Sequence, residues 1–271
     1  MNGFFILFTS KIVVCKSINS IHFVYNFFIC YNIFMFKPYK KEFNYSYTLG
    51  FYPSLELAKY HPEIVEKVIY SSKAKQVEGL ALLKKFLPNC PFEENEKQYE
   101  RLSFKDNDHV VVIFKKYEET LNKDEAHVVL VNPSDQGNLG NIMRTMAAFG
   151  FKNLAIISPA ADHFNPKVIR ASMGSAFFVK KQVFSSFEEY INKFPRKCYP
   201  FMLQTDTYLS SVKLEQYPYA LIFGNEARGL PQEFLKYGAI KIEQPGEVDS
   251  LNLPTAVAIA LYEFKKNERK S

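Results

Sequence analysis

The segment His127–Gly150, HVVLVNPSDQGNLGNIMRTMAAFG, decides the fold class of this chain. Its start, His127–Asn132, is a nearly continuous apolar run, which is typical of a strand buried on both faces. Its end, Asn141–Gly150, has apolar residues at helical spacing, and Gly150 is a suitable helix terminator. A polar loop that contains glycines separates the two. A buried strand, a loop and a helix in this order form the repeating unit of a parallel α/β sheet.

The same alternation continues after Gly150. The predicted elements are, in chain order, the strand Asn153–Ser158, the helix Asn165–Gly174, strands within Phe194–Gln204 and Tyr219–Gly224, the helix Pro231–Gly238 and the strand Ala239–Gln244. The first of these helices carries its own boundaries, with Asn165 as N-cap, Pro166 in the first turn and Gly174 at the end. Apolar strands that alternate with helices predict a parallel sheet covered on both faces.

The final helix raises a question at its start. From Ala256 on, the stretch Ser250–Phe264, SLNLPTAVAIALYEF, is small or aliphatic on nearly every side, which is typical of a buried helix. Its first turn instead carries the polar residues Ser250, Asn252 and Thr255. Polar groups without partners are costly in an apolar core, so we expect these side chains to face a ligand or to cap the helix.

The N-terminal half predicts a second, smaller α/β unit. Helical spacing is found in Pro53–His61 and Glu78–Leu87, and strand patterns in Val65–Ser72 and His109–Lys116. The stretch that follows is charged and poor in large apolar residues, so it is interpreted as a linker. The predicted organisation is therefore a small α/β domain at 41–116, a linker at 117–126 and a larger α/β domain at 127–271.

Residues 1–40 differ in composition and are interpreted as an extension outside the folded core. The stretch Ser17–Phe36 has no charged residue and approaches the length of a membrane helix. Polar side chains interrupt it, and no small-residue cleavage site follows Lys11 and Lys16. The change in composition favours Met35 as the start of the protein over a membrane anchor, so no membrane association is expected.

Composition is typical of a packed globular protein. The 271 residues are 47% hydrophobic and 23% charged, and the formal net charge of +6 is compatible with an acidic partner. The four cysteines show no CxxC pair, which indicates a reducing compartment and a cytoplasmic location. No HExxH pair, GxGxxG or GxxxxGK[ST] is present, so the sequence predicts no metal site, dinucleotide fingerprint or P-loop.

Three loops are candidates for a binding site. In parallel α/β sheets, ligands bind beyond the carboxyl ends of the strands. Asn132–Arg144 (NPSDQGNLGNIMR), Phe223–Pro231 (FGNEARGLP) and Gln244–Pro254 (QPGEVDSLNLP) follow predicted strands, and each contains glycine and uncharged polar residues. They are called the first, second and third loops below.

These loops resemble the three motifs of the SpoU/TrmH family, which comprises knotted RNA ribose methyltransferases that use S-adenosylmethionine. NLGNIMRT resembles the first motif, ALIFGNEARGLP the second and IEQPGEVDSLNLPTAVAIALYE the third, and the likeness extends over Val128–Phe264. RASMGSAFF, Arg170–Phe178, resembles the segment between motifs. Residues 45–112 resemble the family's substrate-binding domain more weakly. The resemblance implies a C-terminal parallel-sheet domain with a deep trefoil knot, a small N-terminal α/β substrate-binding domain and a homodimer.

The resemblance also implies roles for individual residues. The implied catalytic residues are Arg144, Asn138, Glu226, Ser250 and Asn252, and the implied cofactor-binding residues are Gly224, Ile242, Leu251, Gln204 and Thr205. A guanidinium has a pKa above about 12, so an arginine is better suited to hold an RNA phosphate or a developing alkoxide than to accept a proton. Pro254 departs from the small residue often found at its position.

Simpler interpretations exist for several of these residues. Gly224 is also explained by a turn, and Ile242 and Leu251 by the core. Asn138 would serve as a helix cap. An ion pair between Arg144 and Glu226 would join the first two loops.

The function implied is the S-adenosylmethionine-dependent methylation of a ribose 2′-hydroxyl in tRNA or rRNA. The alternative is a knotted RNA-binding protein that lacks catalysis. RNA would be bound electrostatically by Lys73, Lys75, Lys84 and Lys85, although these lysines are equally explained as a solvated helix face.

Overall fold

The computed structural model describes residues 35–76, 78–103, 108–214, 216–244, 246 and 250–268. In the N-terminal half it contains four strands and three α-helices: β1 Tyr45–Leu49, α1 Phe51–Tyr60, β2 Val65–Tyr70, α2 Glu78–Phe86, β3 Phe92–Glu94, α3 Glu96–Leu102 and β4 Val110–Lys115. The strand order is β1-β4-β2-β3. β4 is antiparallel to both of its neighbours, whereas β3 runs parallel to β2.

Both helices and both strands predicted in this half are present. The elements that the sequence did not predict are β1, β3 and α3. β1 (YSYTL) alternates large and small polar side chains, but the small polar residues Ser46 and Thr48 are buried too, because their hydroxyls are bonded inside the protein. Ser46 Oγ donates to the carbonyl of Phe164 (2.5 Å), and the hydroxyls of Thr48 and Ser54 lie 2.7 Å apart.

The C-terminal half contains a five-stranded sheet in which every strand pair is parallel. Its elements are β5 His127–Val131, α4 Gln136–Phe149, β6 Asn153–Ile157, α5 Pro166–Ala171, β7 Lys180–Phe184, α6 Phe187–Lys193, β8 Lys197–Pro200, β9 Tyr219–Phe223 and α7 Leu253–Glu268. The strand order is β7-β6-β5-β9-β8. The predicted parallel sheet is confirmed.

Both faces of this sheet are covered, as the apolar strands predicted. Successive side chains of a strand point to opposite faces. Val128 and Leu130 pack with the helices α4 and α7, whereas Val129 and Val131 belong to a second cluster that includes Phe187 of α6. Burial on both sides explains why these strands are continuous apolar runs rather than alternating ones.

Several predicted elements of the larger half differ from the structure in their boundaries or type. α4 begins five residues before the predicted Asn141, at Gln136, because the side chain of Asp135 caps the helix by accepting from the backbone N–H of Asn138 (2.7 Å). The predicted helix Pro231–Gly238 is a 3-10 helix over Gln232–Tyr237.

The predicted last strand, Ala239–Gln244, is reduced to isolated bridges from Ile240 to Phe201 and from Lys241 to Tyr208. β7 and α6 were not predicted. β7 begins with two lysines and therefore lacks an apolar start.

The N-terminal stretch considered as a membrane anchor lies almost wholly outside the described residues. Among the residues described, no helix is long and apolar enough to cross a bilayer.

Polar contacts join the small sheet to loops of the large one. Tyr39, at the end of the predicted extension, donates its hydroxyl to the carboxylate of Asp162, and its ring lies 4.6 Å from the ammonium of Lys116. A ring nitrogen of His61 lies 3.0 Å from the carbonyl oxygen of Phe177. The residues from Lys37 onward form one compact unit.

The stretch predicted as a linker is anchored by a buried lysine. The ammonium of Lys181 donates to Glu119 Oε2 (2.9 Å), to the carbonyl of Val179 (2.8 Å) and to that of Ala176. Burial lowers the pKa of Lys181, while Glu119 acts in the opposite direction. The carboxylate is therefore the counter-charge of an ammonium that is almost completely removed from water.

Replacing Glu119 with glutamine should destabilise the protein. The substitution Glu119→Gln leaves the Lys181 ammonium without its counter-charge, so we expect the free energy of unfolding to fall by about 2 kcal/mol. Urea denaturation at neutral pH measures this change. The matched control is Glu118→Gln, which alters the exposed neighbouring carboxylate. Equal stabilities of the two variants would show that the pair is not a structural element.

Candidate functional site

A cavity lies at the carboxyl edge of the parallel sheet, beyond the ends of β5, β8 and β9. Its volume is about 510 Å³. The walls come from the first loop at Asn138, the second loop over 224–230, the third loop at 244 and 250–253, and the segment 201–204 that follows β8. The expectation that three separate loops meet in space is therefore met by the described residues.

The second loop is a closed turn that requires a glycine at position 224. A Cβ built on Gly224 would lie 2.2 Å from the carbonyl carbon of Gly229 and 2.4 Å from the backbone nitrogen of Leu230. Gly229 itself has φ +66, and its N–H donates to the carbonyl of Asn225 (2.9 Å). The turn therefore explains Gly224 without reference to a ligand.

Asn225 fixes this turn from inside. Its side-chain oxygen accepts from the backbone N–H groups of Ala227 (3.0 Å) and Arg228 (3.2 Å). Its side-chain nitrogen donates to the carbonyl of Asn132 at the end of β5 (2.8 Å). Sequence reasoning did not single out Asn225, although an asparagine beside a glycine turn is a recognisable signal.

Glu226 joins the second loop to the first. One carboxylate oxygen accepts from the backbone N–H (3.2 Å) and the hydroxyl (3.0 Å) of Ser134, and the other accepts from the N–H of Asp135 (3.3 Å) and the side-chain nitrogen of Asn138 (3.4 Å). These donors lie at the start of α4, where the helix dipole also favours a negative charge. An Arg144–Glu226 ion pair is not formed, because the first loop itself supplies the partners of Glu226.

The charge of Glu226 is stabilised by these contacts. Burial alone would raise its pKa, but hydrogen bonds from its own N–H, from Ser134 and from Asp135 outweigh burial and lower the pKa below its ordinary value. The group is therefore an anion at neutral pH. Within the described residues, no cluster of three or more His, Cys, Asp or Glu side chains is arranged to hold a metal ion.

The polar start of the final helix borders the cavity. Ser250 and Asn252 are exposed and belong to the lining, and the carbonyl of Asn252 accepts from the N–H of Ala256 (3.0 Å). Thr255 is also exposed but lies outside the lining, whereas Pro254 is buried in the first turn. The question raised by the sequence thus has a structural answer, since these polar side chains are not buried in the core.

The remaining predicted residues divide into two groups. Ile242, Leu251 and Gln204 line the cavity. Thr205 lies outside the lining, and its hydroxyl donates to the carbonyl of Ala239 (3.0 Å). Arg144 is exposed on α4, is outside the lining, and forms no ion pair with any described residue.

The floor of the cavity contains residues that the sequence did not indicate. The rings of Phe201 and Phe223 stack with centroids 4.5 Å apart and an interplanar angle of 11°. Gln244 also belongs to the lining, and its side-chain oxygen is buried without a donor among the described residues. Both phenylalanines appear in the sequence as core residues at strand ends, so only the fold reveals their position.

The C-terminal half of the chain is similar in sequence to a known protein family. The model of the SpoU rRNA Methylase family matches residues 125–262, slightly more than half of the chain. An uncharacterized tRNA/rRNA methyltransferase of Synechocystis sp. is 32% identical over 145 residues, which are 52% of this chain and 53% of that protein.

The 23S rRNA (guanosine(2553)-2′-O)-methyltransferase RlmP of Bacillus subtilis is 28% identical over 152 residues, 55% of this chain and 61% of that enzyme. The chain therefore spans less than two thirds of either relative.

Two solved structures share the architecture over most of the chain. An AdoMet-bound rRNA methyltransferase from Sinorhizobium meliloti superposes with a TM-score of 0.69 at 26% identity, covering 82% of this chain and 87% of that one. The SpoU methyltransferase AviRb from Streptomyces viridochromogenes gives a TM-score of 0.72 at 21% identity, covering 84% and 91%. The second likeness concerns the fold alone.

Adding a methyl group at position 224 should open the second loop. In Gly224→Ala the new Cβ meets the Gly229–Leu230 peptide, so we expect a loss of about 2 kcal/mol or more in the free energy of unfolding. Thermal and urea denaturation measure it. Gly246→Ala is the control, since its Cβ would meet no described atom within 4 Å. An unchanged stability of Gly224→Ala would contradict the closed turn.

Removing the charge of Glu226 should weaken the contact between the first two loops in a pH-dependent way. Because its pKa is lowered in the folded state, its contribution is present above the unfolded pKa of about 4.3 and is lost as the pH falls through the lower folded pKa. We expect Glu226→Gln to lose about 1 kcal/mol at pH 7, a modest value because the side chain is exposed. The difference from the wild type should shrink below pH 4 or so, and a constant difference from pH 7 to 3 would refute this role.

Proposed function

Because the chain belongs to the SpoU rRNA methylase family, we propose that it transfers a methyl group from S-adenosylmethionine to a ribose 2′-hydroxyl of tRNA or rRNA. The observation that carries the proposal is the meeting of three loops around one cavity. Asn138, Glu226, Ser250 and Asn252, the polar groups expected from the resemblance, all lie in its lining. The proposed substrate also places the protein in the cytoplasm, in agreement with its cysteine pattern.

The cavity suits a nucleoside cofactor. Its volume of about 510 Å³ is in the range of pockets that hold small ligands. Ile242, Leu251 and the stacked Phe201 and Phe223 offer apolar surface for a purine ring, and Gly224 keeps the neighbouring wall free of a side chain. When bound, the cofactor supplies an electrophilic methyl group on a sulfonium centre. The residues of the lining hold and orient it and exclude water from the site.

The role proposed for Arg144 is electrostatic. The reaction requires loss of the proton of the 2′-hydroxyl, and a guanidinium with a pKa above about 12 is unsuited to accept it. Arg144 instead offers a planar fork of donors to an RNA phosphate or to the developing alkoxide. Its side chain is exposed and forms no ion pair with any residue that the structure describes, which leaves this fork available.

We further propose that the protein is a homodimer joined through α4 and α7. These helices pack together, and their outer surface carries exposed apolar side chains, with Ile259 at 37% and Tyr262 at 58% exposure. Arg144 and Ala148 lie on the exposed side of α4. Apolar surface of this kind favours association with a second copy. Such an interface would place Arg144 close to the partner subunit.

The deep trefoil knot and the division into domains at 41–116 and 127–271 belong to the same proposal. The segment after β8 and the segment after the 3-10 helix are bonded to each other, with Met202 N–H donating to Ile240 O (2.9 Å) and Lys241 N–H to Thr207 O (2.9 Å). In the SpoU family, this is the region in which the chain passes through a loop to form the knot. Bonds between these segments support the knotted path.

RNA would contact the smaller domain through its lysines. Lys73, Lys84 and Lys85 are exposed, while Lys75 is 2.5 Å from the carboxylate of Glu94. Phosphate contacts dominate such binding and weaken with salt. The exposed Lys73, Lys84 and Lys85 therefore form the proposed contact surface.

The proposal is tested by methyl transfer to RNA. We expect purified protein to transfer labelled methyl groups from S-adenosylmethionine to total tRNA or rRNA, with the label on ribose. Arg144→Ala should lower the rate by about 10²- to 10³-fold, as loss of a transition-state donor does. Arg144→Lys should be intermediate, because it keeps the charge but loses the fork.

Calorimetric cofactor binding by both variants serves as the control and should match the wild type. RNA binding without any methyl transfer by the wild type would favour the alternative, a knotted RNA-binding protein without catalysis. Full activity of Arg144→Ala would remove this residue from the mechanism.

A further inference from the structure

Gln244 is a polar residue of the cavity for which no role has been described so far. Its side-chain oxygen is buried and receives no hydrogen bond from any described residue. Among the described residues that line the cavity, it is the one buried side-chain oxygen in this condition. Buried acceptors are nearly always paired, because leaving a hydrogen bond unmade in a low-dielectric environment is costly. The oxygen therefore indicates a donor that belongs to a bound molecule.

Two other polar side chains of the wall, those of Asn225 and Glu226, are bonded to the protein itself. The carboxamide of Asn225 is bonded to Ala227, Arg228 and Asn132, and the carboxylate of Glu226 to the start of α4. Their removal would first affect the loops. Gln244 makes no such contact, so its carboxamide oxygen is free to select a ligand.

The surroundings of Gln244 indicate which part of a ligand it meets. It lies two residues after Ile242, and the lining also includes Leu251, Leu253 and the phenylalanine stack. These surfaces suit a flat, weakly polar ring better than a sugar or a charged amino acid group. A donor on the edge of such a ring would reach an acceptor in the wall with little polar surface buried.

We propose that Gln244 Oε1 accepts a hydrogen bond from the exocyclic amino group of the cofactor's adenine, which makes Gln244 a specificity-determining residue. This inference rests on the proposed function, because it requires that the cavity binds an adenosine cofactor. Gln244 distinguishes adenosine from a nucleoside that carries an oxo group at the same position. A carbonyl there would place two acceptors against each other, and a bond would form only if the carboxamide turned over to present its NH2 group.

Binding calorimetry with two ligands tests the proposal. The probes are S-adenosylhomocysteine and S-inosylhomocysteine, which differ at that exocyclic group. We expect the wild type to prefer the adenosine ligand by about tenfold or more, roughly the contribution of one hydrogen bond to a buried acceptor. Gln244→Met, which keeps the length of the side chain but lacks the acceptor, should lose this preference by binding the adenosine ligand more weakly.

Two further variants make the outcome unambiguous. Gln244→Glu retains an acceptor and removes the NH2 group that could donate to an oxo group, so its preference for the adenosine ligand should equal or exceed that of the wild type. Gln232→Met, at an exposed position outside the cavity, should behave as the wild type does. With active protein, Gln244→Met should raise the KM for the cofactor and leave kcat unchanged, because the adenine is remote from the transferred methyl group.

A Gln244→Met protein that is folded and keeps the full preference for the adenosine ligand would overturn the assignment. A wild type that binds both ligands equally well would do the same while leaving the proposed function intact. A wild type that binds neither ligand would overturn the proposed function and this inference with it.

Discussion

The hydrogen bonds that Glu226 accepts from the first loop are the interaction on which the site depends. Two separate segments of the chain, at the ends of β5 and β9, are brought together by one carboxylate and the donors of Ser134, Asp135 and Asn138. The donors belong to the N-terminal turn of α4, so the interaction orients the helix that carries Arg144. Asn225 reinforces it by bonding to the end of β5. The cavity is therefore shaped by contacts between loops as much as by the sheet below them.

The sequence predicted the parallel sheet because its strands are apolar on both faces, and it located the first two loops because each follows such a strand. The third loop follows a segment that forms only isolated bridges. What the sequence could not predict depends on long-range packing. β7 begins with Lys180 and Lys181 and has no apolar start, yet Lys181 is buried because Glu119 and two backbone carbonyls supply its partners. No sequence pattern around Lys181 indicates that Glu119 will be its partner.

The site shows the same division between local and distant information. The resemblance to the family motifs indicated Asn138, Gly224, Ser250 and Asn252, all of which line the cavity. The partners of Glu226 were not predicted. The sequence suggested an ion pair with Arg144, but the carboxylate instead accepts hydrogen bonds from donors of the first loop. Gln244 has no sequence signal, since only the fold shows that its oxygen is buried without a donor.

The contacts between the small sheet and the large one bear on how such proteins can be recombined. The small sheet is held from both of its ends in sequence, through Tyr39 before it and through Glu119 after it, and both partners belong to the larger half. A chimera that exchanged only 41–116 would keep Tyr39 and Glu119 from the original protein. The inserted segment would then be flanked by contacts that did not form in the protein it came from. Exchange of the small sheet therefore calls for splice points outside both anchors, with Asp162 and Lys181 treated as part of the boundary.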